Sequence, residues 1–231
     1  MLLCAQLQVQ AGVLAHANPR AKHNVIDMAK PSDLCRLGIL ASHRGTNFQA
    51  IIDACQSGIL NAEVVIAISN NSTSVSLKRA RAANIPAVHL SSRTHPEDND
   101  LDQMILTTLQ SGEVDLVITV GYMKKLGPKT LQHYRGRIVN IHPSLLPKYG
   151  GPGMHGLNIH NAVLEAGDSE TGITIHHVDG GYDTGEIISQ IKVAVKPEDT
   201  PETLAARVLT HEHKFLIQTL KEIICSQQQT T

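Results

Sequence analysis

Residues 114–142, VDLVITVGYMKKLGPKTLQHYRGRIVNIH, contain two apolar runs of strand length with a short helical segment between them. The runs, VDLVITVGY and RIVNIH, are rich in the aliphatic and β-branched residues that favour strands. The intervening PKTLQHY has the composition of a short helix. A strand, a helix and a second strand in this order predict two parallel strands of an α/β sheet.

The same alternation continues towards the N-terminus. The runs LGILAS, AEVVIAISN and PAVHL predict strands, and TNFQAIIDACQSG, SVSLKRARAAN and LDQMILTTLQSG have the apolar spacing of helices. The polar stretch SSRTHPEDND is predicted to be a loop. The pattern predicts a doubly wound, Rossmann-like α/β fold whose sheet is mostly parallel.

Beyond residue 150 the order of elements changes. A helix at NIHNAVLEAG precedes two strand-like runs, TGITIHHV and EIISQIKVAV, which the glycine-rich segment DGGYDTG connects. Such a connection predicts an antiparallel strand pair added to the parallel sheet. A long C-terminal helix follows, with Thr200 as its N-cap and Pro201 at its first position.

No linker or repeat divides the regular part of the chain, so we expect one domain over residues 34–226 and a frayed tail at 227–231. Residues 1–33 show no clean periodicity, and we interpret them as a disordered extension or as an over-long start, with Met28 as the first residue. A signal or transit peptide is the alternative interpretation. No chemistry is assigned to this segment.

Composition argues against several kinds of function. The 231 residues carry a formal net charge of −1, with no Trp and two Phe, so neither a nucleic-acid partner nor a membrane surface is expected. The four cysteines are scattered, which is typical of reduced thiols. The histidines include no H-E-x-x-H spacing, so no metal site is expected. We expect a cytoplasmic protein, monomeric or homodimeric, that acts on small molecules.

Two polar side chains interrupt the strand RIVNIH, which prolines at positions 143 and 147 then follow. Asn140 and His142 are two residues apart, so they share one face of the strand, about 7 Å apart. Ligands of parallel sheets bind beyond the carboxyl ends of the strands. An amide and an imidazole in that position are suited to donating hydrogen bonds to one substrate oxygen. The alternative is that both are structural, buried polar groups whose hydrogen bonds go to the backbone.

Two further segments have candidate site residues. An imidazole that acts as an acid needs a carboxylate to keep it charged, and the connection VDGGYDTG offers Asp179 and Asp183 for this role. Aspartate beside glycine is also ordinary turn chemistry, and spacing does not choose between the two. Gly45, Thr46 and Asn47 occupy a strand-to-helix junction, where backbone N–H groups bind phosphate. The alternative at that junction is a simple N-cap at Thr46.

Taken in order, the segments GTNFQAIIDAC, VITVGYMKKL, GRIVNIHPSLLPKYGG, GITIHHVDGGYDTGEII and VLTHEHK resemble the phosphoribosylglycinamide formyltransferase family of purine biosynthesis. The resemblance extends from about Leu37 to Ile224. It implies transfer of a formyl group from 10-formyltetrahydrofolate, a co-substrate, to the amine of glycinamide ribonucleotide. It implies no tightly bound cofactor.

The resemblance also implies roles for individual residues. Asn140, His142 and Asp183 correspond to the catalytic trio, which selects Asp183 over Asp179. The nucleotide site corresponds to Gly45, Thr46, Asn47 and Glu212. The folate site corresponds to Met123, Lys124, Lys125, Leu126, Ile138, Asn140, Val178 and Asp179. Thr174 and His176 are candidate supports for the trio.

Two departures from the family pattern concern the folate site. Lys124 stands where arginine is frequent, and Lys125 where an apolar residue is frequent. Lysine cannot make the forked contact that arginine makes with a carboxylate. No residue in RTHPEDND clearly matches an arginine that some members carry there.

Two alternative functions remain open in the sequence. One is another enzyme with the same formyl donor: a formyltetrahydrofolate hydrolase, a methionyl-tRNA formyltransferase or a sugar formyltransferase. The other is a nucleotide-binding module without activity, in which Asn140 and His142 are structural.

Overall fold

In the computed structural model, which describes residues 34–228, seven strands form one sheet with six helices around it. In chain order the elements are β1 (Cys35–Leu40), α1 (Thr46–Gln56), β2 (Ala62–Ser69), α2 (Val75–Ala82), β3 (Ala87–His89), α3 (Asp98–Ser111), β4 (Leu116–Thr119), α4 (Pro128–His133), β5 (Ile138–His142), α5 (Leu157–Glu165), β6 (Glu170–His177), β7 (Ile187–Ala194) and α6 (Pro201–Gln228). The interpretations given above for residues 1–33 and 229–231 lie outside the described residues.

The sheet has the strand order β3-β2-β1-β4-β5-β6-β7. The first five strands in that order are parallel to one another, whereas β6 is antiparallel to both β5 and β7. The predicted fold, a doubly wound and mostly parallel sheet with an antiparallel pair and a long C-terminal helix, is therefore confirmed. Both sheet faces are covered by helices, as parallel strands require.

Helices cover the two faces because their apolar stripes match two groups of buried side chains. On one face, Phe48 and Ile51 of α1 are packed in the same cluster as Ile159 of α5 and Leu216 of α6. On the other face, Ile105 and Leu109 of α3 lie in a second cluster with strand residues of β2, β4 and β5. Burial of large aliphatic side chains, typically 1.5–3 kcal/mol each, holds the layers together.

Two element boundaries differ from the prediction. Helix α3 begins at Asp98, inside the segment that was predicted to be a loop, and Asp98 and Asp100 lie in its first turn, where acidic side chains favour the helix dipole. Helix α6 continues to Gln228, two residues into the segment that was predicted to be a frayed tail. The predicted cap is confirmed, because the Thr203 N–H donates to the Thr200 hydroxyl at 3.3 Å.

The parallel strands direct their carboxyl ends to one edge of the sheet. Gly45 and residues 123–126 lie in the loops that leave this edge after β1 and β4, and Asn140 and His142 lie at the end of β5. The β6–β7 connection adds Asp183 beside the β5 residues. Within residues 34–228, no helix has the length and apolar character needed to span a membrane.

Candidate active site

Strand β5 ends in a cavity of about 540 Å³ that Asn140 and His142 both line. Both residues therefore reach one cavity, as residues two apart on a strand can. Asp183, from the β6–β7 connection, lines the same cavity. The three side chains proposed as the trio thus meet around one space, rather than facing separate cavities.

His142 is almost fully buried, and each of its ring nitrogens has a neighbour. The Nε2–H donates to the Tyr149 carbonyl at 2.8 Å, and Nδ1 lies 3.4 Å from Oδ1 of Asp183. The carboxylate is in turn held by the Gly151 N–H, which donates to its other oxygen at 3.0 Å. The loop that follows β5 therefore positions both members of the His–Asp pair.

The pKa of His142 lies below its ordinary value. Burial is the largest cause, and the neighbouring His176 acts in the same direction. Asp183 and the Tyr149 carbonyl raise the pKa but do not outweigh burial. In the ligand-free protein His142 is therefore mainly neutral at pH 7, contrary to the expectation that a carboxylate partner would keep it charged.

The two aspartates of the connection have different surroundings. Asp179 is exposed and accepts hydrogen bonds from the Thr184 hydroxyl at 2.8 Å and the Gly181 N–H at 3.0 Å, which is turn chemistry. Burial raises the pKa of Asp183, but His176, His142 and the Gly151 N–H together lower it below its usual range. Asp183 is therefore ionised at neutral pH, and it is the aspartate in contact with His142.

Partners on both neighbouring strands hold the Asn140 carboxamide. The Thr119 hydroxyl on β4 donates to Oδ1 at 2.7 Å, and Nδ2 lies 3.1 Å from Nε2 of His176 on β6. Thr174, the other predicted support, acts elsewhere: its hydroxyl donates to the Ser144 carbonyl at 2.6 Å and accepts from the Leu146 N–H at 3.0 Å. His176 therefore contacts Asn140, whereas Thr174 braces the loop after β5.

The junction between β1 and α1 forms another wall of the cavity. Gly45, not Thr46, occupies the N-cap position, and no side chain caps the helix, so the predicted alternative of an N-cap at Thr46 is wrong. Gly45 has a φ of +65°, and a Cβ there would lie 2.9 Å from the Cβ of Ser76. Thr46 and Asn47 line the cavity at this helix start, where uncapped N–H groups favour an anion.

Glu212 of α6 lies beside Asn47 in the same cavity. The Asn47 Nδ2–H donates to the Glu212 carboxylate at 3.3 Å. Burial raises the pKa of Glu212 to about 7, and the Asn47 contact lowers it only in part. The Asn47 Oδ1 is buried and has no hydrogen-bond partner in the described part of the chain, so an acceptor is available for a ligand hydroxyl or amine.

The predicted folate residues divide into three groups. Met123 lines the cavity of the trio, and Lys124, Lys125, Leu126 and Val178 line a small adjoining cavity of about 70 Å³ that Asn140 and Asp183 also line. Asp179 is exposed and lines none of the described cavities. Ile138 is 1% exposed and belongs to the core, so its side chain forms no cavity wall.

Three residues that sequence analysis did not name also line these cavities. Tyr122 and Tyr182 line both the main and the small cavity, and the Lys125 ammonium lies 4.6 Å from the centre of the Tyr182 ring. Arg44 lines the main cavity next to Gly45. Arg44 could have been proposed from sequence, because it directly precedes Gly45. Tyr122 and Tyr182 could not, because their place in the site depends on how the loops pack.

Within residues 34–228, no group of three or more His, Cys, Asp or Glu side chains is arranged to hold a metal ion. The main cavity is lined by hydrogen-bonding side chains that include the imidazole of His142 and the carboxylates of Asp183 and Glu212. A carboxamide, a neutral imidazole with a carboxylate partner, and an uncapped helix start can bind an anionic substrate and stabilise a developing oxyanion.

This combination of fold and site defines a family. Residues 35–220 match the family model described as formyl transferase, and the chain belongs to that family. A protein of Haemophilus influenzae named phosphoribosylglycinamide formyltransferase is 42% identical over 180 residues, covering 78% of this chain and 82% of that protein. The chloroplastic protein of that name from Arabidopsis thaliana is 35% identical over 221 residues, covering 95% of this chain and 76% of that one.

Solved structures agree with the sequence comparison. The crystal structure of glycinamide ribonucleotide transformylase 1 from Geobacillus kaustophilus has a TM-score of 0.76 and 37% identity, covering 83% of this chain and 99% of that one. The corresponding structure from Symbiobacterium toebii has a TM-score of 0.79 and 36% identity, with coverages of 85% and 90%. The resemblance to the family that sequence motifs indicated is therefore confirmed.

Proposed function

We propose that the chain is a phosphoribosylglycinamide formyltransferase: it transfers the formyl group of 10-formyltetrahydrofolate to the amine of glycinamide ribonucleotide in purine biosynthesis. The observation that carries this proposal is the meeting of Asn140, His142 and Asp183 around one cavity. The names of the relatives, which cover most of the chain at 35–42% identity, support it.

The nucleotide is proposed to bind at the α1 end of the cavity. The uncapped helix start at Gly45 and Thr46 would receive its phosphate. Asn47 and Glu212 would receive its ribose hydroxyls, because both offer buried oxygen acceptors. This orientation directs the glycinamide amine towards Asn140 and His142.

The folate is proposed to bind from the opposite side, between the loop after β4 and the β6–β7 connection. Met123 lines the main cavity, and Leu126 and Val178 line its small neighbour, so apolar walls are available for a flat ring system. Lys124 lies at the outer part of this region and would attract the glutamate tail. The formyl carbon would then lie near Asn140.

Attack of the amine on the formyl carbon produces a tetrahedral intermediate with a negatively charged oxygen. A free N–H of the Asn140 carboxamide would donate to that oxygen, an interaction that is stronger in the transition state than in the ground state. One such donor typically contributes about 2.7–4 kcal/mol to lowering the barrier. The amide is a suitable donor because it needs no change of protonation.

Proton balance requires the amine to lose one proton and the leaving folate nitrogen to gain one. We propose that neutral His142 accepts the proton at Nδ1, directly or through water, and passes it to the leaving nitrogen. The resulting imidazolium would be stabilised by Asp183 at one nitrogen and by the Tyr149 carbonyl at the other. Both contacts already raise the pKa of His142, as this role requires.

A single assay tests the proposed reaction. Purified protein is incubated with 10-formyltetrahydrofolate, with and without glycinamide ribonucleotide, and formation of tetrahydrofolate is followed by absorbance while mass spectrometry detects the formylated nucleotide. We expect turnover only with the nucleotide. Turnover without it would indicate a hydrolase, and no turnover in either case would favour the non-catalytic nucleotide-binding module.

We also propose that the protein acts in the cytoplasm as a monomer or homodimer, on small molecules alone and with no tightly bound cofactor. Light scattering of the purified chain tests the oligomeric state. Fluorescence imaging of the tagged chain tests the compartment. The absorbance spectrum of the purified protein should show no cofactor band, which tests the proposal that no cofactor is tightly bound.

A further inference from the structure

Three neighbouring strands present polar side chains in one row across the sheet. Thr119 of β4 pairs in register with Asn140 of β5, which pairs in register with His176 of β6. The Asn140 carboxamide lies between the other two side chains, with its oxygen 2.7 Å from the Thr119 hydroxyl and its nitrogen 3.1 Å from Nε2 of His176. Thr119 and His176 are 4% and 2% exposed.

The hydrogen bonds of this row agree on one orientation of the carboxamide. Nδ1 of His176 lies 2.7 Å from its neighbour's carbonyl, the oxygen of His177, and a carbonyl only accepts, so Nδ1 carries the hydrogen. With the hydrogen on Nδ1, Nε2 carries a lone pair and accepts from the Asn140 N–H at 3.1 Å, which is closer than the Asp183 Oδ1 at 3.6 Å. The carboxamide oxygen consequently faces Thr119, whose hydroxyl is able to donate.

Orientation matters because the two ends of a carboxamide have opposite electrostatic character. The NH2 group has two hydrogens, of which His176 takes one, so the second remains for a ligand in the cavity that Asn140 lines. A reversed carboxamide would present an oxygen to a developing oxyanion, and two acceptors repel. The strength of the oxyanion contact therefore depends on what holds the amide in place.

We propose that Thr119 is a positioning residue for the formyl-transfer reaction: its hydroxyl holds the Asn140 oxygen away from the oxyanion and so keeps an N–H of the amide available. This inference rests on the role proposed for Asn140. Thr119 itself is not expected to touch a reacting atom. It acts through its 2.7 Å hydrogen bond to the carboxamide oxygen, and the Val139 carbonyl, 3.2 Å away, is the more distant acceptor for the same hydroxyl.

The test compares variants with and without the hydroxyl. Thr119→Val has nearly the same shape but no donor, and we expect kcat to fall about tenfold, the size that loss of one hydrogen bond predicts. Thr119→Ser keeps the donor and should retain most of the turnover. The Michaelis constant for the nucleotide should stay within about twofold in both variants. Thr119→Ala provides a second hydroxyl-free variant and should behave as Thr119→Val does.

Thr171 offers a matched control. It is also a buried threonine in the sheet, on β6, but its hydroxyl has no hydrogen-bond partner in the described part of the chain. Thr171→Val therefore makes the same chemical change without loss of a hydrogen bond, and it should leave kcat unaltered. Circular dichroism and thermal unfolding of all the variants establish that the fold is retained.

A double-mutant cycle identifies the route of the effect. If Thr119 acts through the carboxamide, Thr119→Val has no further effect on kcat in an Asn140→Ala background. An undiminished tenfold loss in that background, or unchanged turnover of Thr119→Val alone, would overturn the inference while leaving the function of Asn140 intact. Normal turnover of Asn140→Ala alone would instead remove the proposed role of the amide.

Discussion

Nδ1 of His142 lies 3.4 Å from Oδ1 of Asp183, although burial holds the pKa of His142 below its ordinary value. Because Asp183 raises that pKa, we expect Asp183→Asn to lower it further. The proposed mechanism needs neutral His142 at the start, so the acidic limb of the profile of kcat against pH should move to lower pH. Loss of the imidazolium partner should also reduce kcat by roughly 10². Steady-state rates between pH 5 and 9 provide the measurement.

Asp179→Asn makes the same chemical change in the same loop and is the control. Its carboxylate bonds to Thr184 and Gly181, so the acidic limb should stay where it is in the unmodified protein. NMR titration of the His142 ring should show a lower pKa in Asp183→Asn alone. If the pH profile shifts in Asp179→Asn and not in Asp183→Asn, the carboxylate role belongs to Asp179 and its assignment to Asp183 is wrong.

Asn140→Ala should reduce kcat by about 10²–10³ with the fold retained, because it removes one oxyanion donor. The Michaelis constants should change much less, since the donor acts mainly in the transition state. Asn161→Ala on α5 is the control: the side chain is exposed and lines none of the described cavities, so turnover should be unaffected. Near-normal kcat in Asn140→Ala would exclude the amide from the mechanism.

Glu212→Gln should stabilise the ligand-free protein at pH 8 while weakening nucleotide binding. Burial raises the pKa of Glu212 from 4.5 to about 7. Between pH 4.5 and pH 7 the carboxyl is therefore protonated in the folded state but ionised in the unfolded state. Stability is therefore lost as pH rises through this window, by up to about 3 kcal/mol. Glutamine stays neutral and avoids that loss.

Urea unfolding at pH 8 and pH 4.5 measures this effect. The gain in free energy of unfolding should be present at pH 8 and should largely disappear at pH 4.5, where the glutamate is protonated in the folded state and half protonated in the unfolded state. The Michaelis constant for the nucleotide should rise about 10- to 100-fold, the size expected for loss of a charged hydrogen-bond acceptor. Glu222→Gln, an exposed change on the same helix, should alter neither quantity.

Gly45→Ala should weaken nucleotide binding, because Gly45 combines a φ of +65° with a 2.9 Å approach of the added Cβ to Ser76. The start of α1 must shift to admit the methyl group, and the shift displaces the N–H groups proposed to hold the phosphate. We expect the Michaelis constant for the nucleotide to rise at least tenfold. Titration with inorganic phosphate should show parallel weakening.

Gly58→Ala separates backbone strain from this local clash. Gly58 also has a left-handed φ, +72°, but a Cβ there would meet nothing within 4 Å. Backbone strain should therefore cost both variants about 1 kcal/mol of stability, the clash should add to the loss in Gly45→Ala, and only Gly45→Ala should lose nucleotide affinity. Equal Michaelis constants for the nucleotide in the two variants would argue against a phosphate site at Gly45.

Lys124→Arg should tighten binding of the formyl-folate, and Lys124→Ala should weaken it about fivefold, if Lys124 contacts the glutamate tail. A guanidinium forms a forked contact with a carboxylate, which an ammonium cannot. The difference between the variants should shrink in high salt, since the contact is exposed. Lys78→Ala, at an exposed position on α2, is the control and should bind the folate normally.

Much of this fold could be predicted from sequence because buried strands and amphipathic helices have different apolar spacing. The position of β6 next to β5 depends on contacts between distant segments, which the spacing of apolar residues does not reveal. The glycine-rich connection indicated only that β6 and β7 pair. The start of α3 was missed because its first turn is polar: Asp98 and Asp100 stabilise a helix through its dipole and do not contribute to an apolar stripe.

The candidate site was partly predictable for similar reasons. Alternation along β5 correctly placed Asn140 and His142 on one face, but it would place Ile138 there too, and that residue lies deeper, in the core. The pKa of His142 depends on how completely the ring is buried. That burial results from packing of all the loops at the carboxyl ends of the strands, which sequence does not reveal. The contact of Thr119 with Asn140 depends on the register between two strands that are 18 residues apart in the chain.

Strand β5 separates a parallel part of the sheet from the reversed strand β6. The nucleotide is expected at α1 and α6 and the folate at the loop after β4 and the β6–β7 connection, so different segments of one domain form the two recognition surfaces. Selection can consequently remodel one recognition surface while the other stays constant. For protein engineering, exchange of residues 178–182, which leaves Asp183 in place, should be the most direct way to alter the one-carbon donor without rebuilding the acceptor pocket.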